Sequence, residues 1–174
     1  AAPYGVALSD VQLDKFESYC SFLLDTNQKF NLTAITNPDE VTSKHFCDSL
    51  AARLVVDFSG ARNLVDIGSG AGLPGFAIKI AYPNLSLTAV ESIGKKARFL
   101  EELADVLELE NVKVYNERAE NVIQKHPECA GKFDVATARA VGNIEMLLSY
   151  AKPLLRKSGT LLLWKSRDEV AELP

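Results

Sequence analysis

The sequence predicts an α/β domain built on a mainly parallel, doubly wound sheet with a helical N-terminal extension. Three observations predict it. Five short apolar runs are separated by segments of helical pattern, the signature of βαβ units. The first run, Leu64 to Ile67, leads into the glycine-rich stretch Gly68-Ser69-Gly70-Ala71-Gly72-Leu73-Pro74-Gly75. The second run, Leu85 to Val90, ends on an acid, Glu91. A strand, a loop with no Cβ atoms to keep a ligand away, and an acid on the next strand tip together suggest a nucleoside site.

The elements follow in order. A first helix extends to about residue 30, with Ser9 as N-cap and Asp10 in the first turn. Val11, Leu13, Phe16, Cys20, Leu23 and Leu24 give it a stripe to bury. Phe30 to Ile35 reads as a connector. Asn37-Pro38-Asp39-Glu40 then starts a second helix with a capping residue, a proline in the first turn and an acid at the capping-box spacing. It should carry Val41, His45, Phe46, Ser49, Leu50 and Leu54, with His45 and Asp48 on one face. That pair is either a polar patch near a substrate or a satisfied helix surface.

After the first strand a helix over about Pro74 to Ala81 stops before Pro83. Strand two is Leu85 to Val90, and the helix Lys95 to Leu109 buries Phe99, Leu100, Leu103, Ala104 and Leu107. Strand three is Val112 to Tyr115, and a helix follows Ala119 with Val122 and Ile123 inward. Strand four is Phe133 to Ala138, the next helix Asn143 to Leu155, the turn Arg156 to Gly159 and strand five Thr160 to Trp164. Asp168 to Pro174 reads as the start of a further helix, so C-terminal strands are expected to be missing. The division expected is residues 1–55 as an extension packed on the core and 56–174 as the α/β domain, forming one unit.

With 174 residues, 47% hydrophobic and 24% charged, the chain can bury a sizeable core. Net charge is −4 at pH 7, so bulk charge gives no support to a nucleic-acid partner and any such contact must be local. The three cysteines are scattered without metal-ligand or disulfide spacing, which predicts no metal site and fits a reducing cytoplasm. No apolar run approaches the roughly 18 residues of a membrane span.

Gly68, Gly70 and Gly72 form G-x-G-x-G; Leu73 stands where the dinucleotide fingerprint has its third glycine. A diphosphate needs helix N-terminal amides, whereas an amino-acid-bearing nucleoside needs room and a few hydrogen bonds. The departure favours S-adenosylmethionine over NAD. Asp66 either receives the cationic part of such a ligand or braces the loop through backbone amides. Glu91 can accept both ribose hydroxyls. Around Glu117 to Glu120, a backbone amide and a carboxylate could read an adenine edge, or the stretch is an exposed charged helix start. Arg139, at the tip of strand four, could hold a ligand carboxylate, clamp an acceptor phosphate, or form a surface salt bridge. These residues leave open an RNA methyltransferase, a small-molecule methyltransferase, an NAD-binding oxidoreductase and a non-catalytic binding module.

Asn31-Leu32-Thr33, His45 with Asp48-Ser49, Asp66 through Gly75, Glu91-Ser92 with Lys95-Lys96, Arg98-Phe99-Leu100 and Ala138-Arg139-Ala140 occur in that order. Together, from about residue 8 to the end, they resemble the RsmG family, also called glucose-inhibited division protein B. The resemblance implies a Rossmann-like class I methyltransferase, cytoplasmic, acting on N7 of a guanine in small-subunit (16S) ribosomal RNA. It implies S-adenosylmethionine contacts at Gly68, Leu73, Ala119, Glu120 and Arg139, to which the residue types add Asp66, Gly70 and Glu91. Glu91 stands where an Asp is common in the family, and the family's last two strands are missing. Guanine N7 has an in-plane lone pair and no proton, so no general base is expected; Arg139 is the catalytic candidate, as a positioning group. Lys95, Lys165 and Arg167, near strand ends, are the candidates for contact with RNA or the ribosomal subunit. A monomer is expected.

Overall fold

The computed structural model describes residues 3–140 and 142–165. Helix α1 (Asp10–Asn27) is capped by a reciprocal pair: Gln12 N–H donates to Ser9 Oγ, and Ser9 N–H donates to Gln12 Oε1 at 2.9 Å. Its buried stripe is Phe16, Tyr19, Leu23 and Thr26. Val11 and Leu13, expected to be buried, are 62% and 47% exposed. Tyr19 takes the place the apolar pattern gave them, because a ring with a polar tip can be buried when its hydroxyl finds an acceptor.

The second helical segment is broken into short pieces: α2 (Pro38–Val41), a π-helical turn (Thr42–Cys47), α3 (Asp48–Leu50) and a 3₁₀ turn (Ala51–Leu54). A single regular helix was the expectation. Thr42 Oγ1 donates to Pro38 O at 3.0 Å and Ser43 Oγ to Asp39 O at 2.9 Å. Hydroxyls bonding the carbonyls four residues back loosen the backbone ladder at the point where the π turn begins. Leu54 ends up 67% exposed.

The sheet comprises β1 (Asn63–Ile67), β2 (Ser86–Val90), β3 (Val112–Tyr115), β4 (Phe133–Arg139) and β5 (Leu155–Trp164), all parallel, in the order β3-β2-β1-β4-β5. The intervening helices are α4 (Gly75–Ala81), α5 (Gly94–Val106), α6 (Val122–Lys125) and α7 (Ile144–Ala151). The chain winds outward from β1 to β3, then returns to place β4 on β1's other side. The strand order reverses there, and ligands of open α/β sheets bind outside the carboxyl ends of strands at such a point.

Alternation along the strands fills two cores. Leu64, Leu87, Ala89 and Val135 face α1, α4 and α5 with Phe16, Leu23, Phe76 and Phe99. Val65, Ile67, Ala136 and Ala138 face α6 and α7 with Val122, Leu147 and Ala151. Helix α1 also ties down two neighbours. Gln12 Nε2 donates to Ile80 O and Ala81 O, at 2.7 and 3.0 Å, closing the end of α4. Lys15 Nζ reaches Leu107 O and Glu108 O just past α5, where a cation also suits the helix dipole.

Two boundaries differ most from the sequence reading. Helix α7 stops at Ala151 rather than Leu155, because Pro153 has no N–H to continue the ladder and Leu154 N–H turns back to Ala151 O. Strand β5 begins at Leu155, not Thr160: Leu155 pairs with Phe133 and Thr160 with Val135, so the expected turn is a bulge inside the strand. Asp134 anchors it, accepting the Arg62 and Asn63 amides at 2.8 and 2.7 Å and pairing with Arg156 Nε at 3.0 Å.

Candidate functional site

The loop after β1 requires its glycines. Gly68, Gly70 and Gly72 have φ of 70°, 55° and 88°, the region other L-residues enter only under strain. A Cβ on Gly72 would lie 2.6 Å from Tyr19 Oη, and one on Gly75 2.8 Å from Asp66 Oδ2. The Tyr19 hydroxyl, fully buried, donates to Ala71 O at 2.6 Å, so the N-terminal helix supports the loop from beneath.

Glu91 closes the loop from the β2 side. It is 5% exposed; its Oε2 accepts Gly70 N–H at 2.9 Å and its Oε1 accepts Ile93 N–H at 2.8 Å. Each oxygen retains a second acceptor site. Asp66 lies under the loop, 1% exposed, with Oδ1 accepting Thr137 Oγ1–H at 2.7 Å and Oδ2 accepting Gly75 N–H at 3.3 Å. Of its two expected roles, bracing the loop is the one these bonds perform.

Burial raises the Asp66 carboxyl to about 6, against the bonds from Thr137 and Gly75 that lower it. The folded chain therefore keeps a proton that the unfolded chain loses at about pH 4. Stability falls as pH rises through that window, by about 2 kcal/mol between pH 4 and 7 from this group. Asp66→Asn, which keeps an acceptor for Gly75 and turns an amide N–H toward the Thr137 oxygen in place of the accepting Oδ1, should remove that part of the fall. Urea unfolding of both proteins across the window checks this; parallel profiles would contradict it.

Beside the loop, at the strand tips, a cleft of ≈ 350 Å³ is lined by Ile67, Gly68, Val90 and Ser92, by Glu117 to Glu120, and by Met146 and Tyr150. Gly68, Ala119 and Glu120 are thus brought together, and Glu91 lies between two lining residues. Met146 and Tyr150 were missed; their spacing on one face of α7 was the available signal. Leu73 departs from the expectation: it is 7% exposed and packs in the core that α1, α4 and α5 share, away from the cleft lining.

Arg139 is placed elsewhere again. Its Nη2 donates to Lys44 O at 2.8 Å and lies 3.3 Å from Asp48 Oδ2, joining the tip of β4 to the π turn. His45 is 9% exposed, with Nε2 2.8 Å from Thr33 Oγ1. Burial and the Arg139 charge lower its pKa, so the ring is neutral at pH 7. Trp164 Nε1 donates to Asp48 O at 3.1 Å. Neither the Thr33–His45 nor the Asp48–Trp164 bond was foreseen, and no local spacing could have shown them. Of the RNA candidates, Lys95 lies 5.1 Å from the Phe30 ring centroid and Lys165 Nζ donates to Gly142 O at 2.7 Å. Arg167 lies outside the described residues. Among the described residues no group of His, Cys, Asp and Glu has a metal-holding arrangement, and no helix is long and apolar enough to cross a membrane.

A family model described as rRNA small subunit methyltransferase G (GidB) matches residues 12–174. The chain belongs to this family. Relatives named ribosomal RNA small subunit methyltransferase G agree. That of Bacillus licheniformis is 43% identical over 170 residues, covering 97% of this chain and 71% of the relative. That of Listeria monocytogenes is 42% identical over 174 residues, covering 99% and 72%. Among solved structures, a Corynebacterium glutamicum protein superposes with TM-score 0.60 at 21% identity, over 88% of this chain and 76% of that one. A coclaurine N-methyltransferase bound to N-methylheliamine and SAH superposes with TM-score 0.57 at 20% identity, over 87% and 50%. At such identities these likenesses show the fold: the Rossmann-like sheet of class I methyltransferases.

Proposed function

We propose that this member of the rRNA small subunit methyltransferase G family transfers a methyl group from S-adenosylmethionine to N7 of a guanine in small-subunit (16S) ribosomal RNA. The observation that carries the reading is the acid-clamped glycine loop at the point of strand reversal, in a chain whose family membership spans residues 12–174. The cleft suits an adenosyl ligand in size and chemistry. Glu91 would take the ribose hydroxyls on its two remaining acceptor sites. Ala119 and Glu120 would meet the adenine edge, and Gly68 and Gly70 leave room for the main chain to approach. Asp66 holds the loop in shape. Leu73 supports it from the core side.

The bound donor supplies an electrophilic methyl on a sulfonium. Guanine N7 has a lone pair and no proton to lose, so the chain's work is to orient the base and exclude water. Arg139, held at the β4 tip by Lys44 O and Asp48, would act as a positioning cation for the acceptor base. Lys95, Lys165 and Arg167 would contribute phosphate contacts. The protein acts as a monomer in the cytoplasm, on RNA or on the assembled subunit.

Calorimetry tests the cofactor part. S-adenosylmethionine should bind, NAD should not, and Glu91→Ala should weaken the former at least about tenfold, the loss of a charge-assisted acceptor and of the loop clamp together. Binding of NAD in its place would overturn the reading.

A further inference from the structure

Strand β3 ends at Tyr115, and just beyond it Glu117 to Glu120 line the cleft. The secondary structure of this segment does little to fix it. It runs through a 3₁₀ turn (Ala119–Asn121) into α6, whose four residues are too few to hold a helix unaided. Val122 is the one buried side chain of residues 117–125, with Ala119 and Ile123 half-buried beside it. A single deep anchor lets such a stretch pivot.

Two contacts close the segment at its ends. Lys125 Nζ donates to both Glu117 carboxylate oxygens, at 2.6 and 2.8 Å. Just outside that pair the rings of Tyr115 and His126 stack, with centroids 3.8 Å apart and planes at 17°. The ion pair is exposed on its lysine side and adds little, whereas His126 is 25% exposed at its side chain, so the stack is the stronger tie. Tyr115 Oη donates to Glu128 Oε1 at 3.1 Å, and Cys129 N–H to His126 O at 2.9 Å, which ties down the chain beyond His126. The Tyr115 carbonyl meanwhile accepts Glu91 N–H at 3.0 Å and Glu117 N–H at 2.9 Å. One residue thus joins the acid that would take the ribose to the segment that would take the adenine.

We propose that the Tyr115–His126 stack gives the cleft its selectivity for adenine by holding Ala119 and Glu120 in line with the base edge, making His126 a positioning residue; this rests on the methyl-donor reading above. Adenine sets a donor, its N6 amino group, beside an acceptor, N1. A carboxylate and a backbone N–H match that pair when they are aligned with it. The Glu120 carboxylate is open to such a contact, since its partner within the fold is Arg118 in a loose, exposed pair at 3.7 Å. Hypoxanthine inverts both positions, with O6 in place of the amino group and N1–H in place of N1. A segment held in line must reject it, because a site built to hydrogen-bond one group leaves its own polar groups unpaired against another. A segment that pivots loses that advantage.

The test is calorimetry with S-adenosylhomocysteine and with S-inosylhomocysteine, which carries hypoxanthine in place of adenine. Wild type should bind the adenosyl compound roughly a hundredfold more tightly. His126→Ala should weaken the adenosyl compound roughly tenfold and leave the inosyl compound unchanged, so that the ratio falls to about ten. His126→Phe keeps a flat ring on Tyr115 and loses only the 3.8 Å contact of Nδ1 with Glu128, so it should restore the ratio to within about twofold of wild type. Lys125→Gln opens the weaker tie at an exposed position and should lower the ratio about two- to threefold; it serves if His126→Ala does not fold. Equal binding of the two compounds by wild type would overturn the proposal. So would an unchanged ratio in His126→Ala, whether both affinities hold or both fall together, since general damage to the fold weakens the two alike. Failure of His126→Phe to restore the ratio would overturn the role of the stack. Binding of neither compound by wild type would remove the methyl-donor reading, and this proposal with it.

Discussion

Gly72→Ala should destabilise the protein by about 3 kcal/mol and lower its affinity for S-adenosylmethionine at least about tenfold. Two effects add. The residue has φ of 88°, which an alanine adopts at a cost of about 1–2 kcal/mol. The new methyl would also lie 2.6 Å from Tyr19 Oη, 3.1 Å from Phe76 and 3.3 Å from Leu100. Overpacking of that degree adds roughly 1–3 kcal/mol. The Tyr19 ring cannot swing away, being fully buried against Phe46, with ring centroids 4.9 Å apart. Either Tyr19 loses Ala71 O or the loop lifts, and a lifted loop breaks the Gly70–Glu91 bond. Thermal unfolding should show a midpoint roughly 10 °C lower for a chain of this size. A midpoint within a degree or two of wild type would mean that the loop has slack the geometry does not show. Gly70→Ala is a useful contrast: its Cβ meets nothing nearer than Gly68 O at 3.8 Å, so it should cost the φ strain alone.

Arg139→Ala should lower methyl transfer to small-subunit RNA roughly a hundredfold or more while leaving the sheet intact. The guanidinium bridges the β4 tip and the π turn through Lys44 O and Asp48, so its removal frees two segments from each other. Its side chain is 21% exposed and outside both cores, so the stability change should be no more than about 1–2 kcal/mol. Arg139→Lys should recover little. An ammonium can satisfy Lys44 O or pair with Asp48, but it lacks the planar fork that aims a second nitrogen elsewhere. Initial rates at saturating cofactor, beside thermal midpoints, separate the two effects; transfer at the wild-type rate by Arg139→Ala would remove its role.

The sheet was legible because parallel strands buried on both faces read as short apolar runs between turn signals. Strands β1 to β3 lie within a residue of their expected bounds. The acid at the tip of β2 and the glycine loop were legible for the same local reason. Less so was anything decided by a partner distant in sequence. Tyr19 drew no notice beside Val11 and Leu13, since only the loop above it, at Ala71, explains its burial. Asp66 was recognised as important, but which of two roles it plays depends on Thr137 and Gly75. The bulge in β5 read as a plain turn, because pairing on both sides of it involves β4. His45 and Asp48 were picked out by spacing alone; their partners Thr33, Arg139 and Trp164 come from three other segments. The π turn had a local cause in Thr42 and Ser43, whose hydroxyls face the preceding carbonyls.

The most direct test of the account is methyl transfer from radiolabelled S-adenosylmethionine to small-subunit ribosomal RNA from cells lacking the modification, followed by mapping of the labelled base. Label on N7 of one guanine, lost with Arg139→Ala, is the predicted result. Label on another base or another atom, or transfer to small molecules with none to RNA, would contradict it.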